Sequence, residues 1–446
     1  MLVSFTVENW RSFRDASTLN LVATAEKQHG KRVSVVADYD FRLLPMAAIY
    51  GGNASGKSNL FKALQFAQGM VTEGPTVKGS IPLDPFRLNA SHLHKPSRFN
   101  FVILLKGKNG REQVYDYSFT LSKTKILEEK LVWIKKSSEV VLFERQDGRP
   151  SEFHKSITQD SILHSVLEST RDNLLFLTNA ASQNTSKYKT DQILRVFHWF
   201  MMLTLISPDA KVRPDAFVKE KEWYNRTLAM LGTGVAKLVF MDVPLSNFSF
   251  PQEAIEDLKA QLHSVNQQAA MLRIGDGRPT VVFCQNGELV AQQLISVHIG
   301  SDSQTEFPFD LQDDSDGTVR VIDLLPCFLE ASKQGSERVF VIDELDRSLH
   351  TLLVRQLLES YLLSCSPESR SQIIFTTHDV LQMDQSLLRR DEMWVTDRKN
   401  DGSTELVPLS SFKDIRKDKS IRTSYLRGQL GGTPKLLLSG AFKEVQ

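Results

Sequence analysis

Hydrophobic and polar positions alternate along the first residues, so that Leu2, Phe5 and Val7 begin a strand and Leu19, Leu21 and Val22 make a second. Met46–Tyr50 is a short apolar run that reads as a third. After it, Leu60, Phe61, Leu64 and Phe66 fall at helical spacing over Ser58–Gln68. The segments Phe99–Leu105 and Tyr115–Leu121 are rich in β-formers, and Gly107-Lys-Asn-Gly110 between them is a hairpin signal. Leu131–Ile134 and Val140–Phe143 continue this antiparallel β section. From about residue 155 the spacing turns helical: Ile193, Val196, Phe197, Phe200 and Leu203 share one face, and Ser207-Pro208 ends the run. A further helix is expected over about 251–270, carried by Ile255, Leu258, Leu262 and Val265. Strands return at 280–310, and from 317 helix and strand alternate as in an α/β core. There is no internal repeat, no long low-complexity tract and no sustained heptad array.

Composition changes this picture little. A chain of 446 residues has room for two or three domains. Its 54 Lys and Arg nearly cancel its 53 Asp and Glu, so bulk charge argues neither for nor against a nucleic-acid partner. The three cysteines, Cys284, Cys327 and Cys365, form no C-x-x-C pair, which speaks against zinc or a redox motif. Cys327 and Cys365 lie in apolar helical patterns and read as small core residues. The strand-like opening lacks the basic end and apolar run of a signal peptide, and the most apolar stretch, Val196–Ile206, is too short to span a membrane. The expectation is a soluble cytoplasmic protein.

The candidate chemistry begins at Gly51-Gly-Asn-Ala-Ser-Gly-Lys-Ser58, which satisfies every fixed position of G-x-x-x-x-G-K-[ST] between an apolar strand and a helix. Glycines let the backbone curl so that its N–H groups face phosphate oxygens, and the helix N-terminus adds partial positive charge. On this reading Gly52, Asn53, Ala54, Ser55, Gly56, Lys57, Ser58 and Asn59 contact a nucleotide. Lys57 reaches the β- and γ-phosphates, and the Ser58 hydroxyl ligates Mg²⁺. The second element is Val339-Phe-Val-Ile-Asp-Glu344, four apolar residues capped by two acids. Such a run fits a buried parallel strand, whose C-terminal end is where ligands bind in open α/β sheets. Two adjacent carboxylates there need a cation or water to satisfy them. Asp343 is assigned to the magnesium shell and Glu344 to polarising the attacking water as general base.

The remaining assignments rest on resemblance. Asn53–Asn59 resembles the loop of RecF, Rad50 and SMC ATPases, and Asn9-Trp-Arg-Ser-Phe13 resembles a turn that lies beside the nucleotide in RecF and SMC proteins. This implies nucleotide contacts for Arg11 and Ser12, with a plain β-turn as the alternative. Asp346-Arg-Ser-Leu-His350 resembles the D-loop of ABC ATPases, with Thr351 where many relatives carry proline. That resemblance puts Asp346 at a dimer interface. Ile373-Ile-Phe-Thr-Thr-His378 resembles the strand ending in the switch histidine, which implies a γ-phosphate contact for His378. Asp314-Ser-Asp-Gly-Thr318 resembles the signature motif, implying that Ser315, Gly317 and Thr318 contact nucleotide held by a second subunit. Read without the resemblance, Ser315 or Asp316 is a simple helix cap. No Q-loop glutamine can be placed.

The order of these motifs, closed by Tyr425-Leu-Arg-Gly-Gln-Leu-Gly-Gly-Thr-Pro434, is similar to that of compact prokaryotic ABC/SMC-like ATPases of phage-defence and abortive-infection systems, the group of RloA and the AriA ATPase of PARIS. The resemblance implies an α/β P-loop NTPase fold of ABC/SMC-like type with an antiparallel β section and a helical insert. The expected division is an N-terminal lobe over 1–185, a helical insert or lid over 186–285 and a C-terminal lobe over 286–446. It also implies ATP and Mg²⁺ as ligands, a homodimer or larger homo-oligomer formed through the nucleotide sites, and control of a separate effector, a nuclease, with a phage-derived trigger. Only 68 residues follow His378, too few for a Toprim nuclease domain, so the nuclease is expected on another chain. A RecF-like DNA-repair ATPase is the alternative, and a transporter subunit is disfavoured by the β-rich section and the missing Q-loop.

Overall fold

The computed structural model describes all residues except 77–78, 184, 211–216, 218–219, 245–255, 258–268, 275–277, 286–287, 413–420 and 434–446. The chain packs as two units: Met1–Pro208, Ala331–Leu345 and Leu358–Gln446 form the first, and Asp209–Glu330 with Asp346–Leu357 the second. These boundaries differ from the expected three-part division. The Gln192–Met202 helix belongs to the first unit, and residues 286–330 belong with the second.

The first unit holds two sheets. One is antiparallel with seven strands, in the order Arg149–Phe153, Glu139–Gln146, Ile126–Ile134, Glu112–Leu121, Ser97–Lys106, Leu2–Glu8 and Ser17–Asn20. Its alternating β-formers turn one side inward, as in Phe99, Phe101 and Ile103, all fully buried. One carboxylate buried in this unit is held by four donors. The buried Glu129 carboxylate accepts from Arg145 Nη1 at 2.9 Å, Tyr117 Oη at 2.9 Å and the Phe176 and Leu177 N–H groups at 2.7 and 3.1 Å. The last two bonds satisfy N–H groups that open the Phe176–Ala181 helix.

The other sheet has six strands, in the order Thr204–Ile206, Val339–Ile342, Gln372–Thr376, Met46–Tyr50, Met393–Arg398 and Thr404–Pro408. The first five run parallel and the last is antiparallel. Met46–Tyr50, Val339–Ile342 and Gln372–Thr376 are buried at every residue, as expected for strands covered on both faces. The helices Lys57–Thr72 and Gln192–Met202 join the two sheets in one core. Phe66 of the first helix meets Trp10 at 4.4 Å and Phe99 at 5.2 Å between ring centroids, and Phe200 of the second meets Phe101 at 4.9 Å.

The apolar run around residue 200 is not one helix. It ends at Met202, Leu203 is extended, and Thr204–Ile206 becomes the edge strand beside Val339–Ile342. A continuous apolar stretch carries no periodicity that separates buried helix from buried strand, so this break is invisible in the pattern.

The second unit is centred on a five-stranded antiparallel sheet. Glu288–Ile299 pairs with Val235–Val243 on one edge and with Arg278–Gln285 and Glu306–Asp310 on the other, and Ala269–Ile274 follows Arg278–Gln285. Within 186–285, expected to be a helical insert, Val235–Val243, Ala269–Ile274 and Arg278–Gln285 are strands. The helix expected over 251–270 lies outside the described residues, except that Glu256 and Asp257 are helical and Ala269 and Ala270 start a strand. No helix among the described residues is long and apolar enough to cross a membrane. Cys327 is buried, as expected. Cys365 is half-buried just beyond the Thr351–Ser364 helix, where burial pushes its thiol up to about 11.

Candidate functional site

The Met46–Tyr50 strand delivers the glycine loop to the C-terminal edge of the parallel sheet, and the Lys57–Thr72 helix leaves from it. Gly56 caps that helix with φ +114°, and a Cβ there would collide with the Thr404 side chain, so the position needs glycine on both counts. Behind the loop, Ser55 Oγ bonds Thr396 Oγ1 at 2.6 Å, and Thr404 Oγ1 lies 2.8 Å from both Ser55 O and Ser12 Oγ. Asn59 Nδ2 donates to the same Ser12 Oγ at 2.8 Å. Lys57 is buried, and its ammonium donates to Gly51 O at 2.7 Å and Gly52 O at 3.1 Å, with His378 Nδ1 at 3.5 Å.

The acid pair leaves the neighbouring Val339–Ile342 strand. Asp343 is buried; its Oδ1 accepts from Thr376 Oγ1 at 2.6 Å and stands 3.5 Å from Ser58 Oγ. Adjacent oxygen ligands of Mg²⁺ at about 2.1 Å stand about 3 Å apart, so Ser58 and Asp343 fit that ion with a small closure. Glu344 adopts φ +50°, a left-handed conformation that costs a residue with a Cβ about 1–2 kcal/mol. Its N–H donates to Thr376 Oγ1 at 2.8 Å. One threonine hydroxyl therefore ties both acids, donating to the first carboxylate and accepting from the backbone of the second.

Near the N-terminus, Asn9 and Arg11 both have positive φ. Asn9 Nδ2 donates to His92 O and Lys95 O, and its Oδ1 accepts from Phe86 N. Arg11 N donates to Asp84 O at 2.8 Å, and its guanidinium pairs with Asp84 at 3.4 Å. The turn thereby holds segment 84–96 as a wall of the site.

A cavity of about 640 Å³ gathers Arg11, Ser12, every loop residue from Gly52 to Asn59, Glu344 and His378, with Asp84, Phe86, Arg87, Leu88, Arg398 and Gly402 completing its rim. Asp343 lies behind it, against Ser58. The sequence reading missed the rim residues and the supporting Thr404, and it gave Thr396, the last residue of the string Asp391-Glu-Met-Trp-Val-Thr396, no role in the site. Thr376 was within reach, since it stands two residues before His378 in the Thr-Thr-His string. The edge strand also braces the first acid, since Ile206 O accepts from Asp343 N at 2.9 Å.

Within the second unit, Ser315 does act as a helix cap. Its Oγ accepts from Thr318 N at 3.2 Å and lies 3.0 Å from Thr318 Oγ1, at the start of the Asp316–Ser332 helix. Asp314 just before it is gripped by Ser296 Oγ at 2.6 Å and His298 Nε2 at 3.0 Å. A Cβ on Gly317 would sit 2.6 Å from Ser348 O. Ser315, Gly317 and Thr318 open onto a cavity of about 430 Å³ shared with Thr233, Ser348, His350 and Gln356. Asp346 is half-buried and lines neither cavity.

Among solved structures, the chain is similar to the SMC head domain from Thermotoga maritima, at 14% identity and TM-score 0.35, over 91% of this chain and 98% of that one. It is also similar to an SMC head bound to the C-terminal winged-helix domain of ScpA, at 12% identity and TM-score 0.41, over 92% and 99%. No curated protein matches the chain. The sequence profile of the family described as "AAA domain, putative AbiEii toxin, Type IV TA system" matches residues 46–384, from the strand before the glycine loop to beyond the histidine strand. The chain belongs to that AAA-domain family of P-loop proteins.

Proposed function

We propose that this chain binds and hydrolyses ATP with Mg²⁺, and that two copies close around nucleotide to switch a separate effector, a nuclease, in anti-phage defence. The observation that carries the reading is the convergence of the Arg11–Ser12 turn, the glycine loop, Glu344 and His378 on one 640 Å³ cavity from four separate stretches of sequence, with Asp343 just behind it against Ser58. Lys57, whose ammonium carries three N–H donors, keeps its 2.7 Å bond to Gly51 O and turns the others, one of them now on Gly52 O, to the β- and γ-phosphate oxygens. Ser58 and Asp343 hold the magnesium, which supplies positive charge against the phosphate oxygens. Glu344, pinned by Thr376 at the cavity wall, orients and polarises the attacking water. His378, beside Lys57, reaches the γ-phosphate end. Arg11 and Ser12 brace the wall and the loop, with Arg11 facing the nucleotide.

The Ser315, Gly317 and Thr318 surface completes the site of a second copy, with Asp346 at the junction of the two copies. Its support is the helix N-terminus opening onto a cavity, together with the resemblance of Asp314–Thr318 to a signature motif. The family description names a toxin–antitoxin system, which supports a role inside a two-component device. The test is to express the chain with the products of its neighbouring genes and purify the complex with ATP, with ADP and without nucleotide. A neighbour retained in one nucleotide state and released in another is the expected result. Retention of none in any state overturns the effector-control reading.

A further inference from the structure

The closing motif, Tyr425 to Thr433, has no part in the chemistry above, yet it touches the phosphate loop. Gly52 N donates to Gly432 O at 2.6 Å. The same carbonyl accepts from the buried Tyr425 hydroxyl at 3.0 Å, and Gly432 N donates to Asp397 Oδ1 at 2.8 Å. Asp397 directly follows Thr396, which holds Ser55 of the loop.

The consequence lies in one peptide bond. Gly51 C=O and Gly52 N–H belong to the same planar trans amide, so they point in opposite directions. Gly432 fixes the N–H end, and the C=O end accepts from Lys57 Nζ at 2.7 Å. Gly432 and Lys57 therefore grip the two ends of one rigid plate. Turning that plate moves the place where the Lys57 ammonium rests. Glycine is required at 432 because its φ is +67° and a Cβ would run into Val395. Burial, with the Asp397 charge nearby, pushes the Tyr425 phenol up to about 12, so it stays a donor at any working pH.

We infer that the Tyr425–Gly432 turn is a positioning element for Lys57, acting through the Gly51–Gly52 peptide, and that it sets affinity for the phosphate end of the ligand. The inference rests on the reading of Gly51–Ser58 as a nucleotide site. Tyr425 and Gly432 touch no nucleotide; they act through the lysine.

The experiment measures equilibrium binding of a fluorescent ATP analogue with Mg²⁺, its displacement by inorganic tripolyphosphate, and the ligand-free melting temperature. The proteins are the wild type, Tyr425→Phe, Gly432→Ala and Lys57→Ala. Tyr425→Phe removes one hydroxyl and keeps the ring. It should weaken ATP and tripolyphosphate alike by about fivefold, the equivalent of about 1 kcal/mol, with little change in melting. Gly432→Ala should weaken both further. If it fails to fold, Tyr425→Phe carries the test. A Tyr425→Phe protein that binds both ligands as the wild type does overturns the inference, whatever its melting temperature. So does a loss confined to ATP, because the effect would then not pass through the phosphate end. If the wild type binds neither ligand, the reading of the loop falls and the inference with it.

Discussion

Replacing Thr376 by valine removes one hydroxyl, keeps the branched shape and leaves the strand in place. The wild-type hydroxyl makes a 2.6 Å bond to the Asp343 carboxylate and a 2.8 Å bond from the Glu344 N–H. A hydrogen bond to a charged group is worth about 1.5–3 kcal/mol and a neutral one about 1 kcal/mol. The variant therefore releases about 2.5–4 kcal/mol of local restraint around the acid pair. Glu344 also sits at φ +50°, a conformation that relaxes once its backbone anchor is gone. If half of the restraint is expressed in the transition state, turnover falls about 10- to 30-fold. Asp343, no longer held toward Ser58, should need more Mg²⁺ for half-maximal rate. The assay is steady-state phosphate release at saturating ATP over a magnesium titration, with circular dichroism to confirm folding. A folded Thr376→Val protein with turnover and magnesium dependence within twofold of wild type would refute the view that this hydroxyl organises the acids.

Two other expectations follow from the same geometry and from the buried charges. Glu344→Gln should bind ATP normally while phosphate release drops at least about 100-fold, the scale of losing a general base, and dimers should accumulate with ATP on a sizing column; wild-type turnover would remove Glu344 from that role. Glu392 is fully buried beside Arg32, and burial pushes its carboxyl up to about 7 from 4.5. Between those values the folded state holds a proton that the unfolded state has lost, so stability contributed here falls as pH rises from about 4.5 to about 7 and then levels. Glu392→Gln should flatten that part of the curve, read as melting temperature against pH; an identical slope in both proteins would contradict it.

How much of this was legible in the sequence depends on how local the physics is. The strand–loop–helix from Met46 to Thr72 was legible because the chemistry needs adjacent residues: two glycines, a lysine and a hydroxyl between an apolar run and an amphipathic one. The acid pair was legible for the same reason. The antiparallel section was readable from alternation, since Phe99, Phe101 and Ile103 fill one face. What escaped was set by partners far apart in sequence. Ser12 and Thr404 meet behind the loop across 392 positions, and small hydroxyl residues carry no signal of their own. The strand at Thr204–Ile206 is a strand because Val339–Ile342 offers it an edge, and nothing in its own three residues says so. In the second unit, Val235–Val243 was absorbed into a helical reading although it pairs along its whole length with Glu288–Ile299. The C-terminal glycine pair was seen as a motif, but its contact with Gly52 had to be found in three dimensions.

The most direct test of the account is ATP binding and phosphate release by the purified chain beside Lys57→Ala, with Mg²⁺ and with EDTA. The account predicts saturable ATP binding and slow, magnesium-dependent phosphate release by the wild type. Lys57→Ala, which leaves the phosphate oxygens without the ammonium now resting on Gly51 O and Gly52 O, should lose affinity by at least about 100-fold, the size of one strong charge-assisted contact. A folded wild type that binds no ATP, or one whose binding and turnover survive Lys57→Ala unchanged, would contradict it.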